Sequence, residues 1–158
     1  MIDNYLNILE DSLKKKSDIL DKIREICLNQ STLIKEESFN IDAYDKSVDA
    51  KDVLIDELTK LDDGFESLYN KIKDEMSNNK EMYADQIKRI QDLISNVTEK
   101  GVEIQALELR NRDGVANQLN NERLKIGKQR KSAKAVYGYY SSISKAARED
   151  SGAVDFKK

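Results

Sequence analysis

The chain of 158 residues has no proline, no histidine and no tryptophan, and it has one cysteine. Because proline interrupts helices, its absence favours long continuous ones. Without histidine the chain lacks the usual base at neutral pH and the commonest transition-metal ligand. A single cysteine forms neither an internal disulfide nor a structural zinc site. These absences argue against an enzyme, and we expect no catalytic residue, no metal and no cofactor.

Long apolar runs are also missing. Nothing approaches the ~20 consecutive apolar residues that span a membrane, and the opening MIDNYLNILEDSLKKK lacks the basic region and apolar block of a secretory signal. We therefore expect a cytoplasmic protein without stable membrane insertion. With 36% charged, 39% hydrophobic and 6% aromatic residues, the core must come from Leu and Ile repeated along helices, which is typical of an elongated bundle.

The first segment has the clearest helical pattern, with apolar residues at heptad spacing over about 34 residues. The main row is Leu6, Leu13, Leu20, Cys27 and Ile34, and the companion row is Ile2, Leu9 and Ile23. Lys16 and Gln30 interrupt the companion row. Cys27 stands in the stripe, so we interpret it as a small buried hydrophobe rather than a reactive thiol.

Two further helices are predicted after a break at residues 37–42, where Asn40 or Asp42 suits an N-cap. A kink is expected at residues 62–64, Asp-Asp-Gly, and a turn at residues 77–79. The second helix carries Tyr44, Val48, Ile55, Leu58 and Leu61, then Phe65, Leu68, Tyr69, Ile72 and Met76; the third carries Tyr83, Ile87, Ile90, Ile94, Val97 and Ile104. Whether residues 113–114, Asp-Gly, break the third helix stays open.

No linker separates these segments, so the sequence predicts an all-α fold of one domain: an elongated antiparallel bundle of three long helices with a C-terminal amphipathic helical extension. The expected divisions are a helical bundle at 1–121, a basic amphipathic partner-binding segment at 122–148 that continues the last helix, and a frayed tail at 149–158.

The extension is unlike the rest of the chain in charge. Eight basic residues and no acidic one occur from Arg123 to Arg148, although the net charge of the protein is −3. Residues 1–75 carry a net −8 and residues 76–158 a net +5. On a helical wheel one face collects Val115, Leu119, Ile126, Ala133, Val136, Tyr137, Tyr140 and Ile143, while Tyr139 points away. The sequence therefore predicts a basic amphipathic helix with a thin apolar stripe.

Three interpretations of this segment compete. The stripe completes the bundle, or it docks on a partner helix or an acidic surface, or the segment binds nucleic acid or an anionic membrane. The acidic remainder of the chain would repel phosphate, and Ala and Tyr insert less well into lipid than Phe, Trp and Leu. We favour a protein partner, with no nucleic acid.

The runs KDVLIDELTKLDDGFESLYNKIKDEM, YADQIKRIQDLISNVTEKGVEIQALE and KQRKSAKAVYGYY resemble the FlgN family of flagellar export chaperones in its clostridial form. The resemblance covers roughly residues 3–145. It rests on segment order, helix lengths and phrases such as LDDGFESLY at residues 61–69, and not on a catalytic signature.

This resemblance implies an ATP-independent chaperone of the type III flagellar export system. Such chaperones bind the C-terminal helical regions of the hook–filament junction proteins FlgK and FlgL, prevent their premature association and deliver them to the export gate, where a C-terminal tyrosine is associated with docking to FlhA. The partner-binding residues would be Leu119, Ile126, Val136, Tyr137, Tyr139, Tyr140 and Ile143, with a basic rim of Lys128, Arg130, Lys131 and Lys134.

Two alternatives stay open beside this resemblance. One is a structural coiled-coil protein whose stripes mediate self-association, giving a homo-oligomer. The other is a sister export chaperone that serves the filament cap or flagellin. The sequence does not select which of the three clustered tyrosines would dock to the gate.

Overall fold

The computed structural model describes residues 2–122, which form three α-helices. They are α1 (Ile2–Lys35), α2 (Ile41–Asn78) and α3 (Ala84–Glu122), and there is no strand within this range. Helices of 34, 38 and 39 residues extend about 50–60 Å at 1.5 Å per residue. The predicted all-α class is confirmed for the described range. The predicted helical extension and the tail fall in residues 123–158, outside it.

Helix α1 packs against both other helices, whereas the Cα atoms of α2 and α3 stay more than 8 Å apart. Side-chain pairs between the helices give their relative directions. Helices α1 and α3 are parallel, because residue numbers along both increase in the same direction. Helices α1 and α2 are antiparallel, because residue numbers increase along α1 where they decrease along α2. The pairs are Glu10–Arg89, Ser17–Asn96 and Arg24–Glu103 for α1 and α3, and Lys16–Asp62 and Gln30–Ser47 for α1 and α2. The helices therefore run up, down and up, with α1 in the middle.

The main core follows the predicted apolar stripes of all three helices. Its buried members are Ile2, Leu6, Leu9, Leu13, Leu20, Ile23, Cys27, Leu58, Ile72, Met76, Tyr83, Ile90, Val97, Ile104 and Leu107. Several predicted stripe residues of α2 and α3, among them Phe65 and Ile94, are half-buried and pack against this core. Burying a side chain of this size stabilises the fold by about 1.5–3 kcal/mol, so the stripes account for most of the packing.

The connection between α1 and α2 is fixed by a cap and an aromatic contact. Asn40 is the N-cap of α2, and its side chain accepts a hydrogen bond from the Ala43 backbone N–H at 3.0 Å. Phe39, just before the cap, packs edge-on against Tyr44 with ring centroids 5.6 Å apart. This is a hydrophobic staple, which sets the angle at which the chain enters the helix. Of the two predicted caps, Asn40 is the one used, and Asp42 lies in the first turn.

Helix α2 ends at the predicted turn. Asn79 is its C-cap, and the Asn79 side chain donates to the Glu75 carbonyl at 2.8 Å. The helix does not restart at residues 62–64, and the kink expected there stays a prediction. Helix α3 likewise runs unbroken through residues 113–114.

Gly114 of α3 lies against Ile34 of α1 with no room for a side chain. A Cβ placed on Gly114 would lie 2.6 Å from Cγ2 of Ile34, well inside normal contact distance. The glycine that looked like a helix breaker in the sequence therefore lets two helices approach each other.

Candidate functional site

The apolar interior is divided into two clusters along the bundle. Beside the main core lies a smaller one, the distal core, where α1 ends, α2 begins and α3 nears Glu122. Its buried members are Phe39, Tyr44, Val48, Val115 and Leu119, and Leu33, Ile34 and Ile41 pack against them half-buried. The basic segment follows this end of α3 in the sequence.

Leu119 is the one predicted partner-binding residue within the described range. It is 2% exposed and packs in the distal core, so a partner reaches it only if α3 moves. The others lie in residues 123–158, outside the described residues: Ile126, Lys128, Arg130, Lys131, Lys134, Val136, Tyr137, Tyr139, Tyr140 and Ile143. Their role stays a prediction.

Between the two cores all three helices contribute polar side chains at one level, which we call the polar layer: Cys27 and Gln30 of α1, Lys51 of α2, and Glu108 and Asn111 of α3. Lys51 is 1% exposed and Glu108 4% exposed, and the two form an ion pair. The Lys51 ammonium also donates to Gln30 Oε1 at 2.7 Å, and the Cys27 thiol donates to Glu108 Oε1 at 2.9 Å.

The remaining polar atoms of this layer have partners as well. The Gln30 amide donates to Ser47 Oγ at 2.9 Å, and the Asn111 amide donates to the Cys27 carbonyl at 2.9 Å. Ser31 Oγ donates to Asn111 Oδ1 at 2.7 Å. Because a buried polar group costs free energy unless it is hydrogen-bonded, this connected set is compatible with a folded core.

Burial shifts the pKa of two groups at the level of the polar layer, Cys27 and Tyr44. Burial raises the pKa of the Cys27 thiol; Lys51 opposes the rise and Glu108 adds to it. Burial also raises the pKa of Tyr44, and the charge of Glu108 adds to that rise. Both groups therefore stay protonated at neutral pH, and the thiol acts as a hydrogen-bond donor. Cys27 is buried as predicted, with a polar contact that the stripe did not indicate.

Sequence reasoning missed most of the polar layer. Gln30 was recognised only as an interruption of the α1 stripe. Lys51 stands seven residues after Tyr44 and seven before Leu58, both buried, and Glu108 lies four residues after buried Ile104. The sequence does contain a signal for this ion pair, because Lys51 and Glu108 place opposite charges at core positions of two different helices.

The α1–α2 pair also carries a surface groove of about 330 Å³ away from the polar layer. Its apolar lining is Ile8, Leu9, Leu61, Phe65 and Leu68, and its charged lining is Asp11, Lys15 and Lys60. Ile8 is 53% exposed. The mixed charges and small volume indicate no particular ligand.

Within residues 2–122 no cluster of His, Cys, Asp and Glu side chains is placed to hold a metal ion. None of the three described helices is both long enough and apolar enough to cross a membrane. Comparison of the chain with protein-family models, with curated proteins and with solved structures gives no match in any of the three.

Proposed function

We propose that this protein is a cytoplasmic, FlgN-like chaperone of the flagellar type III export system. It binds the C-terminal helical regions of FlgK and FlgL, keeps these subunits from associating prematurely and delivers them to the export gate, where a C-terminal tyrosine contacts FlhA. The finer client assignment comes from the resemblance of the sequence. The architecture is compatible with it, because such a task requires a helical surface and no chemical step.

One observation carries the proposal. The apolar stripe of α3 reaches Val115 and Leu119 at the end of the described range, and the same wheel face continues in the sequence at Ile126, Val136 and Tyr140. A helix that is anchored at one end in the bundle and presents an apolar stripe with a basic rim fits an amphipathic helix of a partner.

The sequence of the segment also fits a reversible interaction. Gly127 and Gly138 each lower the stability of a free helix by about 1 kcal/mol relative to alanine. If the segment folds only when it binds, the entropy lost on folding offsets part of the binding free energy. The net affinity is then lower, which favours release at the gate. The tyrosines supply rigid apolar contact with a polar tip.

The site is tested by calorimetric titration of the full-length protein with the C-terminal helical segment of FlgK from the same genome. The test variant is Tyr137→Ala with Tyr140→Ala, and the control is Ile8→Ala with Met82→Ala, two exposed apolar side chains of the described residues. We expect the first pair to weaken binding by about tenfold or more, because interface aromatics are frequent hot spots, and the control pair to leave it within about threefold. Equal loss in both variants would exclude the C-terminal site.

Self-association is the competing function, since large apolar side chains are exposed on separate helices, including Val53 at 60% and Val102 at 52%. Sedimentation of the protein without a client separates the two functions. A monomer that binds the FlgK segment supports the chaperone, and a stable oligomer that gives no heat with FlgK or FlgL segments supports self-association.

A further inference from the structure

The end of α3 is held in the distal core by apolar side chains, by one glutamine and by the close approach of Gly114 to Ile34. Val115 and Leu119 are the buried apolar side chains of α3 in this cluster. Gln118 donates to the Ile34 carbonyl at 2.7 Å and to the Glu36 carbonyl at 3.3 Å. The polar layer separates this attachment from the main core, where the rest of α3 packs along the length of α1.

Beyond the polar layer the composition of α3 becomes less favourable to a helix. Between Asn111 and Asn121 it contains four asparagines, one aspartate and one glycine, all poor helix formers. A helix of such composition depends on tertiary packing for its stability. We therefore expect the distal end of α3 to open more readily than the rest of this helix, in the sense of local unfolding.

The polar layer is a natural boundary for this opening. If α3 separates only beyond Asn111, the Lys51–Glu108 ion pair and its bonds to Gln30 and Cys27 remain intact. Separation further along would leave buried charges unpaired, which is strongly destabilising. We therefore expect the polar layer to limit any opening of α3.

We propose that the end of α3 beyond Asn111 opens as a unit and exposes the Val115–Leu119 face as the first part of the client-binding surface. Its occupant is the amphipathic helix of the client, which replaces the contacts that these two side chains make in the distal core. This inference rests on the proposed chaperone function. It explains why Leu119, placed in the binding stripe by its sequence position, is buried in the free protein.

A disulfide lock tests the proposal. An ideal Cβ on Gly114 lies 3.7 Å from Cβ of Ile34, within the 3.5–4.5 Å range of disulfides, and Ile34→Cys removes the Cγ2 atom that would clash. The full-length variant Ile34→Cys with Gly114→Cys is titrated with the FlgK segment in its oxidised and reduced forms, and the two single variants serve as controls under the same oxidant. Mass spectrometry of peptides confirms that Cys27 has not paired.

We expect the oxidised form to bind more weakly than the reduced form by more than about tenfold, because the lock removes the binding-competent state. Equal affinity in both forms would overturn the opening of α3 while leaving the chaperone function intact. Absence of binding in the reduced form and in the unmodified protein would instead reject the proposed function.

Hydrogen exchange of the unmodified full-length protein gives a readout that needs no client. Amides of residues 113–121 are expected to exchange faster than those of residues 90–107 by about tenfold or more, since local opening exposes them without global unfolding. Uniform protection along α3 would overturn the proposal even if the double-cysteine variant failed to fold.

Discussion

Lys51 of α2 and Glu108 of α3 form a buried ion pair across two helices whose Cα atoms stay more than 8 Å apart. Two long side chains bridge a gap that the backbones leave open. Cys27 and Gln30 of the central helix complete the contact through hydrogen bonds. All three helices are therefore tied together at one level, and the interior changes there from the main core to the distal core.

Removing one partner of this pair should destabilise the protein strongly. Lys51→Met leaves the Glu108 carboxylate buried without its counter-charge, and we expect the free energy of unfolding to fall by about 3–5 kcal/mol. Adding Glu108→Met should recover most of this loss, because the second charge is then gone as well. Urea unfolding followed by circular dichroism measures both.

The matched control for this prediction is the exposed pair Lys88–Asp92, whose side chains are 70% and 64% exposed. Lys88→Met should change the free energy of unfolding by less than about 0.5 kcal/mol, since exposed ion pairs contribute little. A loss at Lys51 no larger than that at Lys88 would contradict the buried pairing.

Stability should fall at alkaline pH because of two protonated buried groups. The folded-state pKa of Cys27 is raised from 9.0 and that of Tyr44 from 10.0. A raised folded pKa means that the unfolded chain loses its proton first, so the stabilisation is complete below pH 9 and is lost as pH rises above it. Urea unfolding at several pH values between 7 and 11 measures this dependence. Cys27→Ala with Tyr44→Phe should flatten it, and an unchanged slope would contradict the assignment.

Gly64 and Gly114, on two different helices, should respond oppositely to alanine. Nothing lies within 4 Å of a Cβ at Gly64, so Gly64→Ala should stabilise the protein by about 0.5–1 kcal/mol through helix propensity. Gly114→Ala forces Ile34 to shift, and overpacking costs about 1–3 kcal/mol, which outweighs the propensity gain. Thermal or urea unfolding measures both changes. Adding Ile34→Ala to Gly114→Ala should remove the clash, so strictly additive effects of the two substitutions would argue against the contact.

Binding of the client should depend on salt and on the basic rim. Substitution of the basic rim by Glu should weaken association with an acidic client surface; the four positions are Lys128, Arg130, Lys131 and Lys134. Added salt should also weaken binding of the client by the unmodified protein, because salt screens the electrostatic attraction between the two surfaces. The control reverses four exposed lysines of the described residues, Lys22, Lys71, Lys73 and Lys80, giving the same change in net charge. Calorimetry at low and high salt measures both. Identical behaviour of the two variants would show that net charge alone matters.

The sequence predicted the helices well because heptad spacing and cap residues are local signals. Leu6, Leu13, Leu20 and Cys27 in α1 and Ile90, Val97 and Ile104 in α3 are buried where their spacing placed them, and Asn40 caps α2 as expected. The polar layer was not predicted, since pairing Lys51 with Glu108 depends on how two helices are aligned, which periodicity within each helix does not contain. The sequence left the role of Gly114 open for the same reason: that role is set by Ile34 on another helix. The binding role of Leu119 and of the proposed residues beyond it stays a prediction.

The most direct test of the chaperone function is calorimetric titration of the intact protein, at low ionic strength, with C-terminal helical segments of FlgK, FlgL, the filament cap protein and flagellin from the same genome. Saturable binding of the FlgK and FlgL segments, at least about tenfold tighter than that of the other two, is the result we predict. Preference for the cap or flagellin segment would assign the protein to a sister chaperone. No heat with any segment would contradict the chaperone function and leave self-association as the account of these helices.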